Sequence, residues 1–227
     1  MFRSFFTDDA VAPVFSNAPN DYRATKDSIR RYRGYSFYAG HYGHNAFKCL
    51  GDGHHLVTNF RDPVERIVSL YRYWRNNVSA SQLESTDPRD AAIVLLSHKL
   101  QFSDFIRLPN EDLRLYISNF HFRQLLFSPW ETPTIQIWHA SKVKRRISRM
   151  PWFYIAEMPS ASVALLRREF PELSSGDLPK DNISIGEPVQ LRLEDAQYLV
   201  RLNRLDYLIY QHALREQIAR LIDVQST

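Results

Sequence analysis

The sequence predicts an α/β protein, a parallel sheet flanked by helices, in a single domain spanning residues 1–227. Three observations predict it. The apolar run Leu56-Val57-Thr58-Asn59-Phe60 has the β-branched and aromatic character of a buried strand and stops at Asp62-Pro63, a helix-start signal. Trp152-Phe153-Tyr154-Ile155 repeats the pattern and ends in the acidic turn Ala156-Glu157. Elsewhere, long segments carry apolar residues at helical spacing.

The first strand-to-helix step is the best defined. Asp62 can cap the helix, Pro63 suits the first helical position because its missing N–H is not needed there, and Glu65 completes a capping box. Val64, Ile67, Val68, Tyr71 and Trp74 then form one apolar stripe, leaving Arg66, Arg72 and Arg75 largely outside it. Helical spacing continues from Ala91 to Phe105 and from Asp112 to Phe127. Ile135-Gln136-Ile137-Trp138 reads as a short strand, and Ser174 to Pro188 as a Gly-, Pro- and Asp-containing loop. Leu191 to Ile222 reads as a long helical region with Leu199, Leu202, Leu205, Ile209, Ile218 and Leu221 mostly facing a core. Within it Asp206 and Tyr210 share a face and brace structure rather than catalyse. No repeat or low-complexity tract interrupts the chain.

Function is most legible at residues 61–71. The free N–H groups and positive dipole end of a helix favour an anion, and Arg61 at the strand tip adds a fork of donors, so phosphate is the expected guest. Ser69 lies seven positions past the cap, close to two turns, on the same side as Asp62. Taken alone, such an Arg and Ser are more simply a surface ion pair and a packed small residue. The whole string Arg61-Asp62-Pro63-Val64-Glu65-Arg66-x-x-Ser69-x-Tyr71, however, resembles the 3′-phosphate-binding motif of carbohydrate sulfotransferases, the group that includes heparan sulfate 2-O- and 6-O-sulfotransferases and their bacterial relatives. Looser likenesses follow in the family's order: Tyr38-Ala39-Gly40-His41-Tyr42-Gly43, Asn119-x-x-x-Arg123-x-Leu125, Trp152 to Glu157, and Asn203-x-x-Asp206-x-x-x-Tyr210.

The resemblance implies a P-loop-type sulfotransferase fold and transfer of a sulfuryl group from 3′-phosphoadenosine 5′-phosphosulfate (PAPS) to a hydroxyl of a carbohydrate acceptor. It implies that Arg61 and Ser69 hold the donor's 3′-phosphate. His41, matching the family's Gly-His position, becomes the expected catalytic base, since a neutral imidazole with a pKa of about 6.5 can take a hydroxyl proton near neutral pH. Arg123 and His44 are the expected substrate contacts. His41, His44, His54 and His55 lack a Cys or carboxylate set to complete a tetrahedral metal site, so no metal is expected.

The chain departs from the family at one point. The family opens with a strand and a Pro-Lys-Thr-Gly-Gly-Thr-Ser-type loop that holds the 5′-phosphosulfate, and no such loop occurs here. Thr25-Lys26-Asp27-Ser28 lacks the glycines and sets an acid beside the lysine. Met1 to Phe6 reads as the latter part of a helix without a starting cap, which suggests a truncated N-terminus. Two readings stay open: an enzyme whose loop precedes Met1, and a non-catalytic nucleotide- or partner-binding domain.

Composition sets the remaining bounds. A 44% hydrophobic content over 227 residues can bury a substantial core, and 29 Lys and Arg against 25 Asp and Glu give a formal charge of only +4. Lys142, Lys144, Arg145, Arg146 and Arg149 read as the exposed face of a helix, with polyanion contact a secondary reading. No nucleic-acid module signature accompanies them. The single Cys49 rules out an internal disulfide, no apolar run is long enough to span a bilayer, and Met1 to Asn20 is no signal peptide. The expectation is a cytoplasmic protein with a hydroxyl acceptor as partner and neither nucleic acid nor membrane.

Overall fold

Two strands pair where the sequence places them. In the computed structural model β1 (Asn59–Phe60) and β2 (Tyr154–Ile155) run parallel, with Asn59 opposite Tyr154 and Phe60 opposite Ile155. The structure describes residues 7–12, 34–41, 43–50, 53–84, 87–130, 134–173 and 188–225. The expectations for Met1 to Phe6, for Thr25-Lys26-Asp27-Ser28 and for most of the loop from Ser174 lie outside these residues. Among the described residues the fold is mostly helical, with this small parallel sheet as its only named strands.

The helices, in chain order, are α1 (His44–Phe47), α2 (Pro63–Asn77), α3 (Ala80–Leu83), α4 (Pro88–Lys99), α5 (Phe102–Arg107), α6 (Glu111–Ile117), α7 (Phe120–Leu126), α8 (His139–Ser148), α9 (Pro159–Glu169), α10 (Leu193–Leu202) and α11 (Arg204–Gln225). The start of α2 follows the sequence rules in two respects, since Asp62 accepts the N–H groups of Val64 and Glu65 and Pro63 occupies the first helical position, but the capping box does not close, because the Asp62 N–H donates to Glu157 and not to Glu65. The same Asp-Pro device starts α4, where Asp87 accepts from Arg89, so that helix begins three residues before the periodicity suggested.

Each long helical segment predicted from periodicity is broken once. The first breaks at Leu100-Gln101, where Leu100 donates to Leu96 and accepts from the Tyr71 hydroxyl at 2.8 Å and from Arg75 at 3.0 Å. Arg75 is thus drawn inward, contrary to its expected place outside the stripe. The second breaks at Ser118-Asn119, where Asn119 takes a left-handed conformation (φ 44°) that Asn tolerates better than most residues. The third breaks at Asn203, between α10 and α11.

Two cores result. One surrounds the sheet: Phe60, Phe153 and Ile155 pack with Phe122 and Leu126 of α7, Val143 and Ile147 of α8, and Ile209 and Ala213 of α11. The other is all-helical and joins Ile67, Tyr71 and Trp74 of α2 to Ile93, Phe105, Ile106, Leu113, Ile117 and Leu199. Fully burying such side chains contributes about 1.5–3 kcal/mol each before chain entropy is set against it. Helix α2 follows directly from β1 and so ties the two cores together. Two expectations fail: Ile135 to Trp138 is not a strand but leads through a turn into α8, and Ile218 is exposed rather than core-facing. No helix among the described residues is long and apolar enough to cross a membrane.

Candidate functional site

At the carboxyl ends of parallel strands, where ligands of open α/β sheets bind, β1 delivers Arg61 and β2 delivers Glu157. The turn between β1 and α2 is tightly held. The backbone N–H of Asp62 donates to Glu157 Oε1 at 2.9 Å, Tyr210 donates its hydroxyl to Glu157 Oε2 at 2.9 Å, and Tyr207 donates to Asp62 Oδ1 at 3.2 Å. Burial, and then the carboxylates of Asp62 and Glu157, push both tyrosines above the usual phenol range, so each stays a donor.

This accounting corrects one expectation. Pro63 has no N–H, Val64 and Glu65 donate to the Asp62 side chain, and Arg66 donates to the Asp62 carbonyl at 2.8 Å. The first turn of α2 therefore has no free amide to offer an anion. What remains for a phosphate is side-chain chemistry. Arg61 is 38% exposed with Glu65 at 4.0 Å, a loose surface pair worth under 1 kcal/mol. Ser69 is half-buried, and its hydroxyl makes no hydrogen bond among the described residues.

His41 is the centre of a second constellation. The residue is exposed to solvent, yet protein packs around its ring. Phe120 at 5.9 Å and Trp130 at 6.4 Å present ring edges to it, and Phe120 and Trp130 lie 5.7 Å apart. Burial, and then the charge of Arg66, lower the His41 pKa, so the imidazole is neutral at neutral pH. His121 beside it is pushed down to about 3 by burial, Arg66 and His41, which leaves it uncharged.

Arg66 was expected outside the apolar stripe, yet it turns toward this constellation. One guanidinium nitrogen donates to the Tyr116 carbonyl at 2.7 Å, the group lies over Phe120 at 5.1 Å, and Nε is buried without a partner. The sequence held a signal for it: Asp62, Arg66 and Ser69 fall at i, i+4 and i+7, on one helical face.

The other expected contacts go elsewhere. Arg123 is only 4% exposed, and its guanidinium donates to the carbonyls of Leu115, Ser118 and Pro129. Burial lowers its pKa to about 10, so it stays charged, and its role is to hold the chain around α7 rather than to contact substrate. His44 opens α1, and burial, then the charges of Arg146, Lys48 and Lys142, lower its pKa to about 4. The structure thus separates His41 and His44 by environment, although three positions separate them in sequence. Gly43 between them is dictated by packing, because a Cβ there would lie 2.2 Å from the Phe127 carbonyl oxygen.

The Asn119 and Asn203 motifs form a reciprocal clamp. Asn203 accepts the Asn119 N–H at 2.8 Å and donates to the carbonyls of Ile117 and Leu199. Asn119 in turn accepts the N–H groups of Leu205 and Asp206, and Asp206 accepts those of Phe122 and His121. Two helix starts, α7 and α11, are capped by each other's side chains. Burial raises the Asp206 pKa, against the opposing charges of Arg66 and Arg123 and those two amides. Among the described residues no three His, Cys, Asp or Glu side chains converge as a metal site would require. Comparison with protein-family models, with curated proteins and with solved structures finds no match for this chain.

Proposed function

We propose that this chain is a sulfotransferase that moves a sulfuryl group from PAPS to a carbohydrate hydroxyl. The observation that supports the reading is that, at a braced strand-to-helix junction, Arg61 is left half-exposed with only a loose partner, while the hydroxyl of Ser69, two turns along the same helix, has none among the described residues. The surrounding donors are committed to backbone and carboxylate, while these two are left for an anion of phosphate size. Arg61 offers a planar fork and Ser69 a hydroxyl donor.

The His41 constellation supplies the other half. A neutral His41 accepts the proton of an acceptor hydroxyl as that oxygen attacks sulfur. The bond from sulfur to the bridging phosphate oxygen breaks, and the electron pair leaves with adenosine 3′,5′-bisphosphate. Trp130, half-buried beside His41, gives an aromatic surface against which the apolar face of a sugar ring can pack, while Phe120 is buried. Burial first, and then the charge of Arg66, keep His41 unprotonated, which is the form a base requires. The residues present fit the 3′-phosphate. A Gly-rich lysine loop for the 5′-phosphosulfate does not occur in the 227 residues. That absence favours a second reading, a non-catalytic domain that binds nucleotide through the clasp alone.

Thermal unfolding with adenosine 3′,5′-bisphosphate tests the clasp. At about 100 times its dissociation constant the ligand adds roughly 2.7 kcal/mol, a rise of roughly 5–11 °C for a chain of this size. The rise should be absent with 5′-AMP and in Arg61→Ala. A rise that persists in Arg61→Ala, or none in the wild-type chain, removes the reading. Transfer of labelled sulfuryl from PAPS to a glycan, lost in His41→Ala while bisphosphate binding survives, separates the enzyme from the binding domain.

A further inference from the structure

Between Glu131 and Glu157 the chain holds no acid, yet it carries Lys142, Lys144, Arg145, Arg146 and Arg149 there. Without these five, the 29 Lys and Arg fall to 24, against 25 Asp and Glu. This one segment therefore carries an excess of five positive charges, more than the net +4 of the whole chain. The structure folds that segment into α8, with Ala140, Val143 and Ile147 buried in the sheet-side core. Arg146 leans inward, donating to the carbonyls of Leu125 and Leu126, and Lys144 is half-buried.

Lys142, Arg145 and Arg149 remain exposed, at i, i+3 and i+7 on the outer face, and none forms an ion pair among the described residues. Trp138 lies four positions before Lys142 with helical backbone angles (φ −65°, ψ −19°), so it extends the same stripe. Trp138 is 59% exposed and Ile137 beside it 74%. The indole is held rather than swinging: its ring lies 3.7 Å from that of His139, and its N–H donates to the Gln136 side chain. Lys48, also exposed, joins Lys142 in acting on His44, which places it on the same flank.

We propose that the Ile137-Trp138 tip and the cationic stripe of α8 bind an anionic membrane surface. The two halves do different jobs. Trp138 has the amphipathic ring that settles at the boundary between headgroups and acyl chains, with Ile137 entering beside it. Lys142, Arg145, Arg149 and Lys48 attract lipid phosphates and carboxylates behind them. A nucleic acid or an acidic glycan would use the cations and could stack on the indole, but it gives the exposed Ile137 side chain nothing to enter. The attachment is peripheral and independent of the sulfuryl-transfer reading. Sequence alone pointed away from a membrane because no apolar run is long enough to span a bilayer, and Ile135 to Trp138 reads there only as a short strand.

Sedimentation of the whole chain with vesicles tests the proposal, using phosphatidylcholine alone and an equimolar mixture with phosphatidylserine. The chain should pellet with the mixture and not with phosphatidylcholine. Neutralising Lys142, Arg145 and Arg149 to Gln should weaken that partitioning about a hundredfold, and Ile137→Ser with Trp138→Ser at least about tenfold. Tryptophan emission should shift to the blue on adding mixed vesicles, and the shift should vanish in Trp138→Phe, a change that leaves the fold alone. No pelleting with the mixture overturns the proposal. So does pelleting that the Ser pair leaves unchanged, because the contact is then charge alone. So does retention on RNA or heparin, sensitive to the Gln changes, with no vesicle binding.

Discussion

The junction at Arg61 and the clamp at Asn119 and Asn203 are both dense in Asp, Asn, Arg and Tyr, yet they end in opposite states. In the clamp every carboxamide atom meets backbone: Asn203 is fully buried and contacts the chain at positions 117, 119 and 199. At the junction the inner half, Asp62 with Glu157, Tyr207 and Tyr210, is closed in the same way, while Arg61 and Ser69 are left over. Residue type does not distinguish a brace from a site. Hydrogen-bond accounting does, because a buried polar group has to find a partner, and a group left without one at the surface is available to a ligand.

The sharpest break in this comparison comes from the clamp. Asn203→Ala strands the Asn119 N–H and the carbonyl of Ile117, and should destabilise the chain by about 3 kcal/mol, lowering the melting temperature by roughly 6–12 °C. Thermal or urea unfolding reads it. A loss well under 1 kcal/mol would mean that the clamp is closed by water as readily as by Asn203.

Next in size is the closed half of the junction. Tyr210→Phe removes one donor from Glu157 and should lower stability by about 1 kcal/mol, without changing bisphosphate affinity. If affinity falls with it, the brace and the clasp are one unit, and the division drawn between them fails.

How much of this was legible beforehand follows from the same accounting. The Asp62-Pro63 start and the two strands could be read because local chemistry decides them, whereas a parallel sheet was expected of the fold without saying which strands pair. The breaks at Leu100, Asn119 and Asn203 could not, because periodicity runs straight through them and only tertiary partners end the helices there. Arg66 and Arg123 were misplaced for a related reason. A long cationic side chain reads as surface, and burial becomes tolerable only when carbonyls such as those of Tyr116, Leu115 and Pro129 happen to converge on it. Asp206 was read as a brace, and its contacts with the α7 amides agree. The loose Arg61 pair could be placed in sequence, but its freedom could not.

A third prediction concerns His121, on which Arg66 of α2 and His41 both act. His121 is pushed down to about 3 in the folded chain, well below its ordinary value of about 6.5. The unfolded chain then binds a proton at this position that the folded chain does not, so the contribution is complete above pH 6.5 and is lost as pH falls toward about 3. His44, lowered to about 4, adds to the same limb but stops contributing further loss below that pH. Melting temperatures of wild type and His121→Gln across this range should diverge, the variant falling less steeply. Parallel curves would place His121 in contact with water.

The smallest expected effect is the most discriminating. Arg61→Ala should leave the ligand-free chain within about 0.5 kcal/mol of wild type, because the change removes only a 4.0 Å surface pair with Glu65 and no buried hydrogen bond. The same substitution should abolish stabilisation by adenosine 3′,5′-bisphosphate. A residue of the clamp cannot behave this way, since removing it exposes an unmet partner whether or not ligand is present. If Arg61→Ala proves as destabilising as Asn203→Ala, then Arg61 is a structural residue, and the phosphate clasp has to be sought instead at Arg66, whose Nε is buried and unmet.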